Sequence, residues 1–315
     1  MAGRLFVANF GEDTISVIDA YAKKQQHKIV LSHRQQHYTE AGTHLKKSVI
    51  GPHSLKCGRD KEYIYSVDCF DDSIAVINTS SMDVEEFFFA GNHPNDMAFS
   101  SDDSYIYVTN GDSDSVSVID ALARKIIFQV SVGAMPHGIC ISPSGEYVYT
   151  ADMDSNTVSM IDTWSNSKVT CIKVGKCPVE VVPSADGRYV FAICSYLGND
   201  RNGTVSVIST HNYSVIKTID IGMIPIQGAI SNDGRMLFVT NMGSNDVYAI
   251  DLNRFEVIRV IESGNMARGI AIREDGHIFV SNSEDNNLSI IDHVSWEISY
   301  NIEVGIEPTS MLYIK

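Results

Sequence analysis

The sequence predicts an all-β fold: a single closed seven-bladed β-propeller with four antiparallel strands in each blade. Two observations support this prediction. Short motifs recur seven times along the 315 residues, and the turns between the strand-like runs have hairpin chemistry. A repeat of about 42 residues with four short strands is the period of a propeller blade. One blade cannot bury both faces of its sheet, so we expect residues 1–315 to form one domain.

The first motif is an apolar pair followed by a polar residue, as in Val118-Ile119-Asp120. Its seven copies begin at residues 17, 76, 118, 160, 207, 249 and 290, at intervals of 59, 42, 42, 47, 42 and 41 residues. Residues 115–119 alternate between polar and apolar, as a strand does, and no segment keeps a helical period. The first motif therefore marks the third strand of each blade.

Two further motifs accompany the first. A strand-like run ending in Asn or Asp comes before it, as in Tyr107-Val108-Thr109-Asn110, and Gly-x-x-Pro follows it, as at Gly133 to Pro136. Turns such as Ser-Ala-Asp-Gly at 184–187 suit a hairpin, because Gly tolerates positive φ. The chain starts at a second strand (Leu5–Asn9) and ends with a first strand (Thr309–Ile314). We expect these two strands to pair and close the ring.

The repeats resemble the YVTN-type seven-bladed β-propeller family. The eponymous motif is intact at 107–110, with near-copies at 238–241 and 279–282. The resemblance covers nearly the whole chain and implies the fold. It leaves the function open, because the members of such families include surface-layer and adhesion proteins as well as nucleic-acid binders. Related seven-bladed folds include lactonases and cofactor dehydrogenases, and fold analogy cannot choose among these.

The composition of the chain limits the classes of partner that we expect. The net charge is −15 and the pI is near 5.0, which disfavours nucleic acid or an anionic membrane as a partner. No apolar run reaches the roughly 18 residues of a membrane span, and the N-terminus has no secretory signal pattern. None of the six cysteines is in a Cys-x-x-Cys pair, which favours a reducing compartment. We expect a cytoplasmic location, with the cell or spore surface, reached by non-classical export, as the alternative.

Two insertions interrupt the repeat. The first interval is 17 residues longer than 42, and the surplus falls at about 32–47, between an outer strand and the next inner strand. The 47-residue interval has a five-residue surplus at 194–203, between a second and a third strand. In a four-strand meander, both kinds of loop lie on the same side. We therefore predict that both insertions lie on one rim, around the mouth of the central channel.

The two positions after each Gly-x-x-Pro turn should line this mouth. The first position is occupied by His53, Asn95, His137, Val179, Ile226, Arg268 and Thr309, and the second by Ser54, Asp96, Gly138, Glu180, Gln227, Gly269 and Ser310. A ring with a purely structural role would tend to repeat one residue type. This one mixes two histidines, two acids and an arginine. We predict these ligand-binding residues: His53, Asn95, Asp96, His137, Glu180, Gln227 and Arg268.

A metal site is a second hypothesis. His33 and His37 have the spacing of two imidazoles on one helical turn, and His53 and His137 could complete a zinc set. The Asn and Asp residues that end the second strands offer a calcium alternative. However, such residues also cap turns with their own side chains, and their recurrence favours that structural role.

The leading functional prediction is a non-enzymatic binding or scaffold module that holds a protein or small ligand at this rim. No catalytic residue is assigned, because no Gly-x-Ser-x-Gly elbow or comparable constellation is present. The alternative is a metal-dependent hydrolase or lactonase-type enzyme that uses His53, Asp96, His137 and Glu180.

Overall fold

The computed structural model describes residues 3–32, 50–198 and 201–315. These residues form 28 strands and two 3₁₀ turns, the latter at Phe10–Glu12 and Gly111–Ser113. The first half comprises β1 (Arg4–Asn9), β2 (Thr14–Asp19), β3 (Lys24–Val30), β4 (Pro52–Cys57), β5 (Tyr63–Asp68), β6 (Ser73–Asn78), β7 (Val84–Phe89), β8 (Pro94–Phe99), β9 (Tyr105–Asn110), β10 (Ser115–Asp120), β11 (Lys125–Ser131), β12 (Pro136–Ile141), β13 (Tyr147–Asp152) and β14 (Thr157–Asp162).

The second half comprises β15 (Ser167–Lys173), β16 (Pro178–Pro183), β17 (Tyr189–Cys194), β18 (Asn202–Ser209), β19 (Ser214–Met223), β20 (Pro225–Ile230), β21 (Met236–Asn241), β22 (Asp246–Asp251), β23 (Glu256–Glu262), β24 (Ala267–Ile272), β25 (Ile278–Asn282), β26 (Asn287–Ile291), β27 (Ile298–Glu303) and β28 (Pro308–Ile314). None of the helices in this described part of the chain is long and apolar enough to cross a membrane.

The strands form seven antiparallel sheets of four, which confirms the predicted propeller. Blade 1 is β28-β1-β2-β3, and blades 2 to 7 take β4–β7, β8–β11, β12–β15, β16–β19, β20–β23 and β24–β27. The predicted closure is also observed: β28 pairs with β1, with Ile314 opposite Arg4 and Met311 opposite Val7. The inner strands follow one another around a ring in the order β4, β8, β12, β16, β20, β24, β28 and back to β4.

The hydrophobic core lies between blades. In one cluster, Tyr107 and Val118 of blade 3 pack with Ile139, Val148 and Ile161 of blade 4. Each is 2% exposed or less, and burying a side chain of this size is worth roughly 1.5–3 kcal/mol. Because both faces of each sheet are covered in this way, the blades fix the geometry of the ring and its central channel.

The polar residue of the first motif caps the turn that follows it. Asp120 Oδ1 accepts hydrogen bonds from the backbone N–H groups of Leu122 and Ala123, at 3.0 and 2.7 Å. Asp19 makes the equivalent pair to Tyr21 and Ala22. The repeat of this residue is therefore explained by local turn formation.

The last residues of the second strands form what we call the anchor ring. Its members are all 0% exposed: Asn9, Asp68, Asn110, Asp152, Cys194, Asn241 and Asn282. Asp152, for example, accepts hydrogen bonds from the hydroxyl groups of Thr150, Thr157 and Ser159, at 2.7 to 2.9 Å. These bonds tie the second strand to the third within one blade.

The anchor ring also explains the glycine of Gly-x-x-Pro. A Cβ atom on Gly91 would lie 2.0 Å from Asn110 Oδ1, and one on Gly133 would lie 2.5 Å from Asp152 Oδ2. At the closure, Gly305 N–H donates to Asn9 Oδ1 at 3.1 Å. The second and third motifs of the sequence thus meet in space, which supports the structural interpretation of the Asn and Asp residues.

Candidate functional site

A β-bulge opens each inner strand. In blade 4, Pro136 lies opposite Asp152 and Ile139 lies opposite Thr150, so His137 and Gly138 together face one residue. The same irregularity follows the third motif in all seven blades. A bulge redirects side chains and bends the strand. It explains how two consecutive residues can both line the channel.

The pocket at this end of the channel brings the predicted residues together. Its lining includes His53, Asn95, Asp96, His137, Glu180, Gln227 and Arg268, all seven of the ligand-binding residues expected from the sequence. The space open to the centre of a water molecule is about 40 Å³, enough for a few waters. The structure thus gathers these residues, and their ligand-binding role stays a prediction.

Two neutral imidazoles stand at the mouth. His53 Nδ1 lies 2.8 Å from the carbonyl oxygen of Asn95, and His137 Nδ1 lies 2.8 Å from that of Val179. A carbonyl only accepts, so both Nδ1 atoms carry hydrogen and both Nε2 atoms present a lone pair. Burial lowers the pKa of both histidines, and for His53 the neighbouring His137 and Arg268 lower it further. The rings stack edge to face with centroids 5.1 Å apart.

Arg268 supplies the cation of the mouth. Its Nη2 lies 3.3 Å from His53 Nε2, and its guanidinium carbon lies 5.8 Å from the centre of the Phe10 ring. Burial lowers the pKa of Arg268, partly offset by Cys69 and by Glu307. Among the described residues, no carboxylate lies within ion-pair distance of its guanidinium. Within the described chain, the arginine is therefore held by an imidazole and an aromatic ring.

Hydroxyl groups brace the backbone beneath these side chains. Thr109 Oγ1 donates to the carbonyl oxygen of His137 at 2.5 Å, and Thr240 Oγ1 donates to that of Arg268 at 2.6 Å. Both hydroxyls belong to the second strand of the preceding blade. The threonine of the Tyr-Val-Thr-Asn motif thus fixes the bulge of the next blade, so the repeat positions the variable residues.

Two of the predicted site residues also connect blades. Asn95 Nδ2 donates to the carbonyl oxygen of Pro136 at 3.0 Å, and Gln227 Oε1 accepts from the N–H of Ile270 at 3.1 Å. Asn95 is only 4% exposed. These amides therefore hold neighbouring inner strands together, a structural role that the sequence did not indicate.

Sequence reasoning missed three side chains at the channel. Lys56 reaches Asp96, with Nζ 3.3 Å from Oδ1. Phe10 and Phe70 lie with their ring centres 5.3 Å apart and connect the rim to His53. The sequence does single out Lys56, because no other blade has a charged residue at the equivalent inner-strand position. Those positions are Ala98, Cys140, Val182, Ala229, Ala271 and Leu312.

The described residues do not provide a cluster of ligands that would support the metal hypothesis. His33 and His37 lie outside the described residues, so their part of the prediction stays untested. Within the described residues, no group of three or more His, Cys, Asp or Glu side chains is arranged to hold a metal ion. His53 and His137 are adjacent and each keeps an Nε2 lone pair, but the Nε2 of His53 lies 3.3 Å from Arg268 Nη2.

Both insertions lie partly outside the described residues, because residues 33–49 and 199–200 are not among them. The strands before them, β3 and β17, run in the same direction within their blades and end on the same side of the ring. The placement of the inserted residues on one rim stays a prediction. One difference is clear: Asn202 and Gly203, expected in the loop, belong to β18, where Asn202 pairs with Met223. Part of the second insertion thus lengthens a hairpin.

Comparisons with known proteins agree with the fold. A family model described as a YNCE-like beta-propeller matches residues 40–144, and one described as the cytochrome D1 heme domain matches residues 103–200. No curated protein matches the chain significantly.

Solved structures are similar over most of the chain. A hydrazine synthase chain from Kuenenia stuttgartiensis is 22% identical, with a TM-score of 0.77, over 86% of this chain and 92% of that one. A functionally unknown protein from Desulfotomaculum acetoxidans is 15% identical, with a TM-score of 0.77 and coverage of 98% and 99%.

A third similar structure is the dihydro-heme d1 dehydrogenase NirN in complex with DHE. It is 14% identical, with a TM-score of 0.71 and coverage of 99% of this chain and 75% of that one. At these identities the likeness to the three structures shows the fold. The YNCE-like match over residues 40–144 and the closed ring of seven blades fit a YVTN-type seven-bladed β-propeller family.

Proposed function

We propose that this protein is a binding module whose channel mouth holds a small organic anion. The observation that carries the proposal is Arg268, a partly desolvated guanidinium in the pocket wall without a carboxylate partner among the described residues. Desolvating a cation is costly unless an anion pairs with it. A bound carboxylate, sulfonate or phosphate would supply that partner and could accept two N–H donors from the guanidinium.

Apolar side chains around the mouth favour a ligand with an apolar body. Four of them, between 37% and 54% exposed, follow a second strand, end an outer strand or lie in the turns that enter the inner strands; we call them the collar: Phe70, Met135, Met223 and Ile306. Phe70 continues inward through Phe10 to Arg268 and His53. Among the described residues, Ile226 is the one aliphatic side chain in the lining of the pocket itself, so the apolar surface for a ligand is that of the collar. The proposed ligand places its charge at Arg268 and its apolar body on the collar.

An amphipathic anion tests this proposal directly. Anilinonaphthalene sulfonate fluoresces when it binds an apolar site, and its sulfonate mimics the charged group. We expect Arg268→Gln to weaken its binding at least tenfold, because about 1.4 kcal/mol of charge-assisted bonding corresponds to that factor. Arg259→Ala is the matched control, since Arg259 is exposed on an outer strand.

Equal affinity in the wild type and in Arg268→Gln would overturn the proposal. So would a dye site that Arg259→Ala weakens as much. If a protein partner captured by the wild type is lost in Arg268→Gln while the dye does not bind, then the mouth recognises a protein instead.

A tetrapyrrole is a second candidate ligand. The observation that favours it is the cytochrome D1 heme domain match, whose residues 103–200 include His137. The residues fit such a group in part. A neutral imidazole whose Nδ1–H bonds a backbone carbonyl is the usual form of an axial metal ligand, and Arg268 suits a carboxylate side chain of the ring. The pocket itself is narrow, so the collar would supply the apolar contacts for such a group.

The second candidate has its own test. Hemin titrated into the wild type should give a shifted Soret band and a dissociation constant that rises at least tenfold in His137→Ala. His211→Ala is the control, because His211 is exposed in an outer turn. Unchanged spectra with all three proteins would exclude the tetrapyrrole and leave the smaller organic anion.

A further inference from the structure

A pair of carboxyl groups lies directly beneath the mouth. Asp96 Oδ2 accepts from the backbone N–H of Ile139 at 3.3 Å, so its carboxylate lies over β12. Glu180 comes from the other side: a Cβ atom on Gly138 would lie 2.7 Å from Glu180 Oε1. The absence of a side chain at Gly138 therefore leaves the space in which Glu180 lies. Both carboxyls converge on the same two residues of β12 and line the same pocket as Arg268.

The pair has one cation to share. Lys56 Nζ lies 3.3 Å from Asp96 Oδ1, and Ser54 Oγ donates to the same oxygen at 2.5 Å. Glu180 Oε1 accepts from the N–H of Val181 at 2.9 Å. In the described chain no Lys, Arg or His nitrogen lies within ion-pair distance of Glu180. Asp96 is thus matched by Lys56, whereas Glu180 has only one backbone donor.

Burial and the neighbouring charges together raise the pKa values of both Glu180 and Lys56. Burial raises the pKa of Glu180 to about 8, and the negative charge of Asp96 adds to the effect while Lys56 opposes it. Burial alone would lower the pKa of Lys56, but the carboxylates of Asp96 and Glu180 outweigh it and raise that pKa.

The other titratable groups near the pair are neutral at pH 7 or already described. Burial, with Glu180 next, raises the pKa of the Cys140 thiol well above its usual value, and the pKa values of His53 and His137 are lowered by burial. Arg268 is the only other charge in the pocket lining. At pH 7 the raised pKa values therefore leave Lys56 charged and Glu180 protonated.

We propose that Glu180 is a proton switch for the channel mouth: the pocket holds an organic anion at Arg268 only while Glu180 carries a proton. When Glu180 ionises, the pocket gains a negative charge that no described residue neutralises. This charge repels the anion and offsets the attraction between the anion and Arg268. Above the titration range of Glu180, binding must therefore take up one proton from solvent, and affinity falls with rising pH. This inference rests on the proposed anion site and adds its regulation.

The size of the effect follows from simple electrostatics. Two like charges about 8–10 Å apart at an effective dielectric constant near 20 repel enough to weaken binding by roughly tenfold or more. We expect the affinity for anilinonaphthalene sulfonate to be constant from about pH 6.5 to 7.5 and to fall about tenfold by about pH 9.5. The dye sulfonate stays ionised throughout, so the ligand itself does not titrate in this range.

The experiment compares the wild type with Glu180→Gln across this pH range. Glutamine keeps the shape and cannot ionise, so its affinity should no longer depend on pH. Glu146→Gln is the matched control, because Glu146 is exposed in a turn on the opposite rim. A wild-type affinity that does not change with pH would overturn the switch, as would a fall that persists in Glu180→Gln.

A second measurement separates the switch from the anion site. Infrared difference spectra of the wild type minus Glu180→Gln should show a protonated carboxyl band at pH 7 that disappears above about pH 8. A missing band at pH 7 would overturn the switch even if the anion binds. A band that titrates as expected while Arg268→Gln leaves dye affinity unchanged would overturn the anion site alone, and with it the coupling.

Discussion

Two rings of seven residues lie on the same rim of this propeller, and they differ in the uniformity of their side chains and in their contacts. The anchor ring is nearly uniform, fully buried, and bonded within its own blade, as Asn9 is to Thr14 and Ser16. The residues that follow the Gly-x-x-Pro turns, which we call the mouth ring, are chemically unequal, and all of them except Val179 line the pocket. The members are His53, Asn95, His137, Val179, Ile226, Arg268 and Thr309.

The contrast teaches how to separate fold from function in a repeat protein. Each anchor residue closes the same hairpin, so each blade needs nearly the same side chain. The mouth position has no such requirement, because Val179 and Ile226 fill it without any side-chain hydrogen bond capacity. An imidazole or a guanidinium there is therefore not demanded by the blade, and its presence favours a role in binding.

The largest expected effect concerns the anchor ring. Gly91→Ala would place Cβ 2.0 Å from Asn110 Oδ1 at a φ of +137°. We expect it to lower the free energy of unfolding by about 3 kcal/mol or more, through overpacking and backbone strain. Urea unfolding measures the change. Gly187→Ala, at φ +71° with its nearest neighbour 3.7 Å away, isolates the strain and should cost only about 1 kcal/mol. Equal losses would show that Asn110 does not fix the glycine.

The second effect is the loss of an anchor. Asp152→Ala leaves the hydroxyls of Thr150, Thr157 and Ser159 without their shared acceptor. We expect a loss of about 2 kcal/mol in urea unfolding, because buried donors remain unpaired. Dye affinity at the mouth should stay within about twofold. A large loss of affinity with little loss of stability would contradict the division between the two rings.

A third prediction uses pH. Asp68 Oδ2 is buried without a hydrogen-bond partner in the described chain, and burial raises the pKa of Asp68 well above its usual value. The native state then binds this proton more tightly than the unfolded chain, so stability decreases as pH rises from about 4 through the native pKa. Asp68→Asn, which copies the Asn of four other blades, should remove this decrease and gain about 1 kcal/mol at pH 8 relative to pH 5.

Urea unfolding at the two pH values checks the Asp68 prediction. Asp152→Asn serves for comparison, because the Asp152 carboxylate has three hydroxyl donors and should gain less from the change. A parallel pH dependence of stability in the wild type and Asp68→Asn would show that Asp68 does not titrate in this way.

The smallest expected change in stability belongs to the mouth ring. Arg268→Met removes a partly desolvated charge that has no anionic partner among the described residues, so unfolding free energy should change by less than about 0.5 kcal/mol or increase. Dye binding should nevertheless be lost. A destabilisation as large as that of Asp152→Ala would mean that Arg268 supports the fold through His53 and Phe10, and the contrast between the rings would fail at this position.

Much of the architecture could be predicted because each blade repeats its local rules. The strand alternation follows from residues close in sequence, and the 42-residue period together with the order of the motifs predicts the closure of Leu5–Asn9 on the last strand. The list of mouth residues could also be predicted, because equivalent positions in a repeat must meet at the axis. The sequence did not reveal that Asn95 and Gln227 tie inner strands together, because the partners are 41 and 43 residues away.

The sequence by itself determined the number of blades, their closure and the seven positions at the channel mouth, since these depend on a period that every unit repeats. Only the tertiary structure decided the chemistry of the mouth. It set the tautomers of His53 and His137 and left Arg268 without an anionic partner in the described chain. It also placed Lys56 within ion-pair distance of Asp96 rather than of Glu180. The reason is physical: each depends on distances between side chains of different blades, which the bulges set and no local pattern encodes.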